Sequence, residues 1–390
     1  MARKLVTGNH AAGYALATAG EANREGRGCV AGAYPITPQT EVVEYLRGVR
    51  FTKGRVIAVE SEHSVMAVCI GASLAGARTF TASSSNGLAY MTENVFNAGY
   101  YRLPVVLIAV NRTLGPPWNI WADQGDSLAL RDAAWLQFYC ESHQEIVDTT
   151  LMAFRIAEDR RVLLPVIVGY DGFILSHTAS GVELPEQEQV DRYLPLLDLP
   201  HAIDHGHPAA VGGLAWPFQT AAHRAELQEA MERVPEVLEE ARAEFRDVFG
   251  RLPDGAVETF ATEDAETVLV ASSSLASTTR DVVRQRRERG EKVGMVKIKQ
   301  FRPFPREAVR NALKGVAKVG VIDRNHSPGS GGIFWQETAA SLQGVPGVML
   351  QDYLVGITGI DATEAVVHEV VDDLQCRDTP TDPIWKGVAA

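Results

Sequence analysis

Short β-branched runs alternate with segments of helical spacing up to about residue 180, and this alternation constrains the fold more than any other feature of the chain. Candidate strands are Cys29–Ala33, Val56–Val59, Thr79–Ala82, Val105–Val110 and Val166–Gly169. Between them lie Thr40–Leu46, Ser64–Ala75, Gly87–Ala98 and Gln144–Glu158, each with apolar residues at helical spacing. Strand–helix alternation calls for a parallel sheet covered on both faces. The first of these helices has a marked start, with Thr37 as cap, Pro38 at the first helical position and Glu41 nearby.

The rhythm breaks at about residue 185 and returns at about 260. Thr267–Ala271, Val293–Ile298 and Val319–Ile322 then read as strands, and Thr278–Arg289 and Ile333–Leu342 as helices. The expected division is 1–185, 186–258 and 259–390, with the last a second, smaller α/β domain. The middle segment ends in a charged helix, Ala221–Phe249. Its apolar residues Leu227, Met231, Val234, Leu238, Ala241, Phe245 and Val248 step by four and three. It reads as an amphipathic helix packed on its own chain, because Pro235 would kink a coiled-coil seam.

Composition excludes several classes. Asp and Glu outnumber Lys and Arg by 49 to 37, which disfavours a nucleic-acid binder. Apolar runs such as Leu103 to Val110 fall short of the ~20 residues of a membrane helix, so no membrane association is expected. Cys29, Cys69, Cys140 and Cys376 form no C-x-x-C pair, so this chain encodes no zinc or iron–sulfur framework. Sparse, apparently buried thiols suit a reducing cytoplasm.

Ligands of an open parallel sheet bind beyond the carboxyl ends of its strands. Those ends carry Tyr34 to Pro38, Glu60 to His63, Ser83 to Gly87, Asn111 to Thr113 and Asp171 to Phe173. Singly, each has a structural explanation: Thr37 a cap, Arg112 a salt bridge, the serines a turn. Together on one edge they make a candidate active site.

In their order, several segments resemble the α subunit of the thiamine-dependent 2-oxoacid:acceptor oxidoreductases, of which pyruvate:ferredoxin oxidoreductase is the best known. They are Gly8 and Asn9 with the alanine-rich helix after them, Tyr34 to Pro38, Ser61 and Glu62, Arg112 after a buried strand, and Asp171 to Phe173 with Ser176 and His177. Later come Asp264 to Glu266, Phe301 to Pro305, and Asp323 and Arg324 before Gly329 to Gly332. A departure lies in Trp121 to Asp126, where many relatives carry a histidine before the second aspartate.

The resemblance implies a transketolase-like pyrimidine-binding domain with a parallel sheet, plus a smaller transketolase C-terminal-like α/β domain. It implies CoA-dependent oxidative decarboxylation of a 2-oxo acid of the phenylglyoxylate or pyruvate type. Glu62 matches the carboxylate that promotes ionisation of thiamine diphosphate through its aminopyrimidine ring. Glu60, two residues away on an extended segment, would point to the same side and is a rival that spacing does not eliminate. Tyr34, Pro35, Ile36, Ser84, Ser85 and Asn86 are assigned to the cofactor. Thr37, Arg112, Asn111, Trp118 and Trp121 are assigned to the substrate, whose carboxylate suits a guanidinium fork. Trp135, fourteen residues beyond Trp121, is a further aromatic wall for an aryl substrate, or else core.

Gly125-Asp126-Ser127 lacks the second glycine and the asparagines with which thiamine enzymes hold diphosphate and Mg²⁺. Those groups are therefore expected on a β subunit, with a γ subunit and a δ-type subunit that bears [4Fe-4S] clusters as further partners. No metal ligand is assigned here. Gly329 to Gly332 reads as a tight turn rather than a phosphate cradle. His201, Asp204, His205 and His207 read as solvated loop residues. The competing functions are a non-oxidative 2-oxoacid decarboxylase subunit and a non-catalytic scaffold.

Overall fold

The computed structural model describes residues 2–387. Two mixed sheets dominate it. The first runs, in spatial order, 300–302, 136–139, 166–171, 105–111, 78–83, 29–33 and 54–58. Every neighbouring pair is parallel except the outermost strand Gln300–Arg302, which runs antiparallel to Leu136–Tyr139. The second sheet runs 384–386, 349–355, 318–323, 267–271, 293–298 and 257–260, with only the last strand antiparallel. Ala2–Thr7 and Ala179–Leu184 form a separate antiparallel ribbon.

The central strand Val105–Asn111 is buried along its whole length, as a parallel strand covered on both faces must be. Small residues let the first helix, Gly8–Glu21, lie close on this sheet. A Cβ on Gly13 would meet the Tyr45 ring at 2.9 Å, and one on Gly20 would meet Cys29 and Phe80 at the same distance. The long helix is Pro217–Phe249, four residues longer at its start than expected. It buries Leu227, Ala230, Val234, Val237, Leu238, Ala241, Phe245 and Phe249. Met231 and Val248 are only half-buried, so the stripe follows the helical period rather than a strict heptad. It packs on His143–Ala157 and Gln187–Tyr193 of its own chain.

Three local expectations need correction. The helix after the first strand is Thr40–Gly48, its N-cap is Gln39, and Thr37 does not cap it. The segment expected as one helix from Gly87 to Ala98 is two, Ser85–Tyr90 and Thr92–Tyr100, meeting at Met91. Of the four thiols, Cys376 is exposed while the other three are buried. Among the described residues no helix is long and apolar enough to cross a membrane.

Gly329 to Gly332 is the tight turn, closed by a Ser327–Gly331 bridge. The helix it leads into, Ile333–Ser341, points its free N–H groups at Asp323, which accepts from Phe334 N (3.0 Å) and Trp335 N (2.9 Å). Asp352 accepts from Gly332 N at 2.8 Å. A protein carboxylate thus stands where a phosphate would have to sit. Burial, then the neighbouring Asp352 charge, pushes Asp323 up to about 7, and burial pushes Asp352 up to about 6.

Both values lie above the usual unfolded value of ~3.9, so the native state binds more protons through that window, and stability falls as pH rises through it. Asp352→Asn is expected to flatten the decline in thermal midpoint between about pH 4 and 7. Thermal melts at four pH values check this, and an unchanged slope would reject it.

Candidate active site

Crossover direction in the first sheet reverses at Cys29–Ala33, whose neighbours are 54–58 on one side and 78–83 on the other. Ligands of open α/β sheets bind at such a reversal. The segments that follow these strands, and the one after Val105–Asn111, meet there.

Glu62 is the first residue of the helix Glu62–Leu74, capped by Ser61, whose hydroxyl accepts from Ser64 N. It is 8% exposed, and no described residue hydrogen-bonds or ion-pairs with it. A Cβ on Gly87 would lie 2.7 Å from its Oε1 and 2.5 Å from Ser83 Oγ, so only glycine leaves room for the carboxylate. The rival departs here. Glu60 is exposed and accepts from the Ser64 hydroxyl, which with its own backbone N–H pulls its carboxyl below the usual range. A helix beginning at Glu62 rotates successive side chains instead of alternating them, so the two carboxylates do not share a side.

Arg112 is 5% exposed and donates from Nη1 to the Thr37 carbonyl. Its Nε has no partner, and no described carboxylate lies within ion-pair distance, so the salt-bridge explanation fails. Burial draws its pKa down, against the fields of Asp126 and Glu62. The Trp118 ring lies over the guanidinium, 4.9 Å away.

The other expected residues divide. Tyr34 and Ile36 are half-buried, and Pro35 and Thr37 are exposed on the same edge. Ser84 is fully buried with an unpartnered hydroxyl, while Ser85 donates to the Thr113 carbonyl and Asn86 accepts from Gly115 N. Asn111 is fully buried, its amide committed to Asp126 (2.8 Å) and Ser127 (2.6 Å), so it braces the strand end from behind. Trp121 packs on Phe173, ring centroids 4.8 Å apart, and against Gly359. Trp135 is not at the site. It lies in the core and donates to the Val95 carbonyl.

Several participants were missed. Asp126 is wholly buried and accepts four N–H groups, and burial still pushes it up to about 7. Asn119 donates to the Thr358 carbonyl and Asp123 accepts from Thr358 N, which fastens the loop to the second sheet's domain. Asp123 is raised to about 6 by burial. Asp171 accepts from Arg324 at 2.7 Å and from Ser274 N and Oγ, so it joins the two sheets rather than facing a ligand. Asp204 pairs with Arg27 and takes the N–H groups of its own turn.

"Pyruvate flavodoxin/ferredoxin oxidoreductase, thiamine diP-bdg" matches residues 21–243, and "Pyruvate:ferredoxin oxidoreductase core domain II" matches 265–367. Pyruvate synthase subunit PorA of Methanothermobacter thermautotrophicus is 43% identical over 343 residues, covering 87% of this chain and 88% of that one. Ketoisovalerate oxidoreductase subunit VorA of Pyrococcus abyssi is 41% identical, covering 96% and 93%. In fold, the chain is similar to 2-oxoglutarate:ferredoxin oxidoreductase from Magnetococcus marinus, with TM-score 0.71 and 19% identity, covering 96% of this chain and 65% of that one. A split-gene transketolase matches at TM-score 0.55 and 14% identity, covering 95% and 98%. With both domains matched in order, and relatives above 40% identity along most of either chain, this chain belongs to the pyruvate:ferredoxin (flavodoxin) oxidoreductase family.

Proposed function

We propose that the chain is the α subunit of a multi-subunit 2-oxoacid oxidoreductase that converts a 2-oxo acid with an apolar side chain and CoA to acyl-CoA and CO₂. The observation that carries this reading is Glu62, a residue only 8% exposed whose carboxylate has no hydrogen-bond or ion-pair partner among the described residues. A carboxylate held without a partner at this edge is an open acceptor for a ligand's N–H group. An aminopyrimidine ring offers such a donor, and the buried Ser84 hydroxyl, also without a partner, follows the neighbouring strand 78–83 on the same edge.

When bound, thiamine supplies the carbon nucleophile and the electron sink for decarboxylation. Glu62 holds or yields a proton at the ring nitrogen. Arg112, its charge unanswered by any carboxylate within ion-pair reach, takes the substrate carboxylate beside Thr37. Trp118 and Trp121 offer flat apolar surface next to it, and no Lys or Arg lies between residues 113 and 130 to meet a second carboxylate.

Diphosphate and Mg²⁺ do not fit here. Asp126 has spent its oxygens on four N–H groups, and no group of three His, Cys, Asp or Glu is placed for a metal among the described residues. A β subunit would hold them, and alongside a γ subunit a δ-type subunit would bear [4Fe-4S] clusters that pass electrons to a ferredoxin-type acceptor in the cytoplasm. Residues 1–185 would be the ring-binding unit, 186–258 the connection and 259–390 the second unit, which lends Gln300–Arg302 to the first sheet.

The whole complex should reduce a low-potential dye with pyruvate, 2-oxoisovalerate or phenylglyoxylate only when CoA is present. For 2-oxoglutarate kcat/KM should be lower by ~10–100-fold, the effect of ~1.5–3 kcal/mol for an unmatched charge. CO₂ release without CoA or acceptor would mean a non-oxidative decarboxylase. No turnover of any 2-oxo acid would leave the scaffold reading. By itself, the purified chain should show no micromolar heat of binding to thiamine diphosphate and Mg²⁺. Tight binding without partners would reveal a diphosphate site within this chain.

A further inference from the structure

We propose that Asp126 is the positioning residue of this site, holding the Ser85 turn and the Arg112 turn in one fixed relation. The inference rests on the 2-oxoacid reading above. Parallel pairing between strands 78–83 and 105–111 ends at Ser83 and Ala109. Beyond that point the ladder no longer holds the two segments together. Asp126 Oδ2 takes over, accepting from Ser85 N at 2.7 Å on one side and from Arg112 N at 3.0 Å on the other. Oδ1 accepts from Asn111 Nδ2 at 2.8 Å and from Ser127 N at 2.7 Å, which fixes the carboxylate's own orientation.

The four donors favour the ionised carboxylate against the upward push of burial, whereas an amide would turn N–H groups toward two of them. Ser85 also sits at φ +48°, a conformation a side-chain-bearing residue keeps only when its surroundings hold it. Here Asp126 holds its N–H while its hydroxyl is tied to the Thr113 carbonyl. Asp126 is fully buried behind these turns and cannot itself touch substrate. Its effect on the reaction passes through Arg112, whose backbone it fixes and whose guanidinium faces Thr37 and Trp118.

Asp126→Asn in the complete complex is the test, read with pyruvate and CoA. The expected result is KM for pyruvate raised ~10-fold or more, the scale of a charge-assisted bond placed out of line. Turnover at saturation should stay within about threefold and KM for CoA close to wild type, while the thermal midpoint falls by a few degrees because donors are left unsatisfied in the buried site. Added to Arg112→Ala, Asp126→Asn should raise KM no further, since both act through one contact.

Unchanged KM, additive effects in the double variant, or a parallel loss of turnover, CoA affinity and stability would each overturn the proposal. If the asparagine variant does not assemble, Asp126→Ser, which leaves room for water as a substitute acceptor, is measured in the same way. Failure of that variant to assemble would establish a structural role instead. A wild-type complex with no 2-oxo acid turnover would sink the functional reading itself, whereas an active one with unaltered Asp126→Asn kinetics would sink only this inference.

Discussion

Glu62→Gln should lower turnover of the complex by ~10²–10⁴, the range for losing an acid–base partner, while the chain folds and assembles normally. Folding is expected to survive because Glu62 contributes little to it. The carboxylate makes no hydrogen bond or ion pair within the described chain, and the helix keeps its Ser61 cap. What glutamine removes from the fold is an anion at a helix N-terminus, about 0.3–1 kcal/mol. Glutamine keeps the size and shape of the side chain, which offsets part of that loss. For the reaction no such offset exists. An amide cannot take a proton from a ring nitrogen, and the neighbouring carboxylate Glu60 is turned outward onto Ser64. Glu60→Gln therefore serves as the control and should keep turnover within about twofold. Thermal melts of both variants and single-turnover rates at saturating substrate are the measurements. Near-normal turnover in Glu62→Gln, or a dead Glu60→Gln, would remove Glu62 from the mechanism.

Glu62 also shows how far the sequence reaches. Its place after a strand was legible, because five of the parallel strands and their order along the chain follow from runs such as Val105–Asn111. Its direction was not. Whether Glu60 and Glu62 share a side depends on where a helix begins, and the cap at Ser61 places that start two residues before the expected one. The Thr37–Pro38 signal misled in the opposite sense, because Pro38 looks like a first helical residue while its segment is occupied with Arg112 and the helix waits until Thr40. Gln300–Arg302 crosses to the first sheet by pairing with a strand more than 160 residues away, and no local pattern reports a contact of that separation. Asp126 was hidden for the same reason. Read locally it is an incomplete Gly-Asp-Gly, and its four donors come from three different segments. Trp135 looked equivalent to Trp118 and Trp121, yet tertiary packing turned it into the core, where its indole N–H finds the Val95 carbonyl.

Arg112→Ala carries the second large effect, and it separates a binding role from a structural one. KM for the 2-oxo acid should rise ~10–100-fold, which corresponds to a charge-assisted bond of about 1.5–3 kcal/mol, with a smaller change in turnover. The guanidinium is suited to this because no carboxylate of the described residues lies within ion-pair distance, its Nε has no partner, and burial already disfavours it. A buried cation in that state gains most from an incoming anion. Its structural contribution is one bond to the Thr37 carbonyl and the contact beneath Trp118, together about 1–2 kcal/mol. Stability should accordingly fall by a few degrees at most, and Arg112→Lys should recover part of the affinity, short of the full amount because a lysine cannot bind a carboxylate in two places. Substrate titrations and thermal melts on the same preparations decide the matter. An unchanged KM beside a large drop in stability would make Arg112 a brace for the Tyr34–Thr37 segment and move the substrate carboxylate elsewhere on this edge.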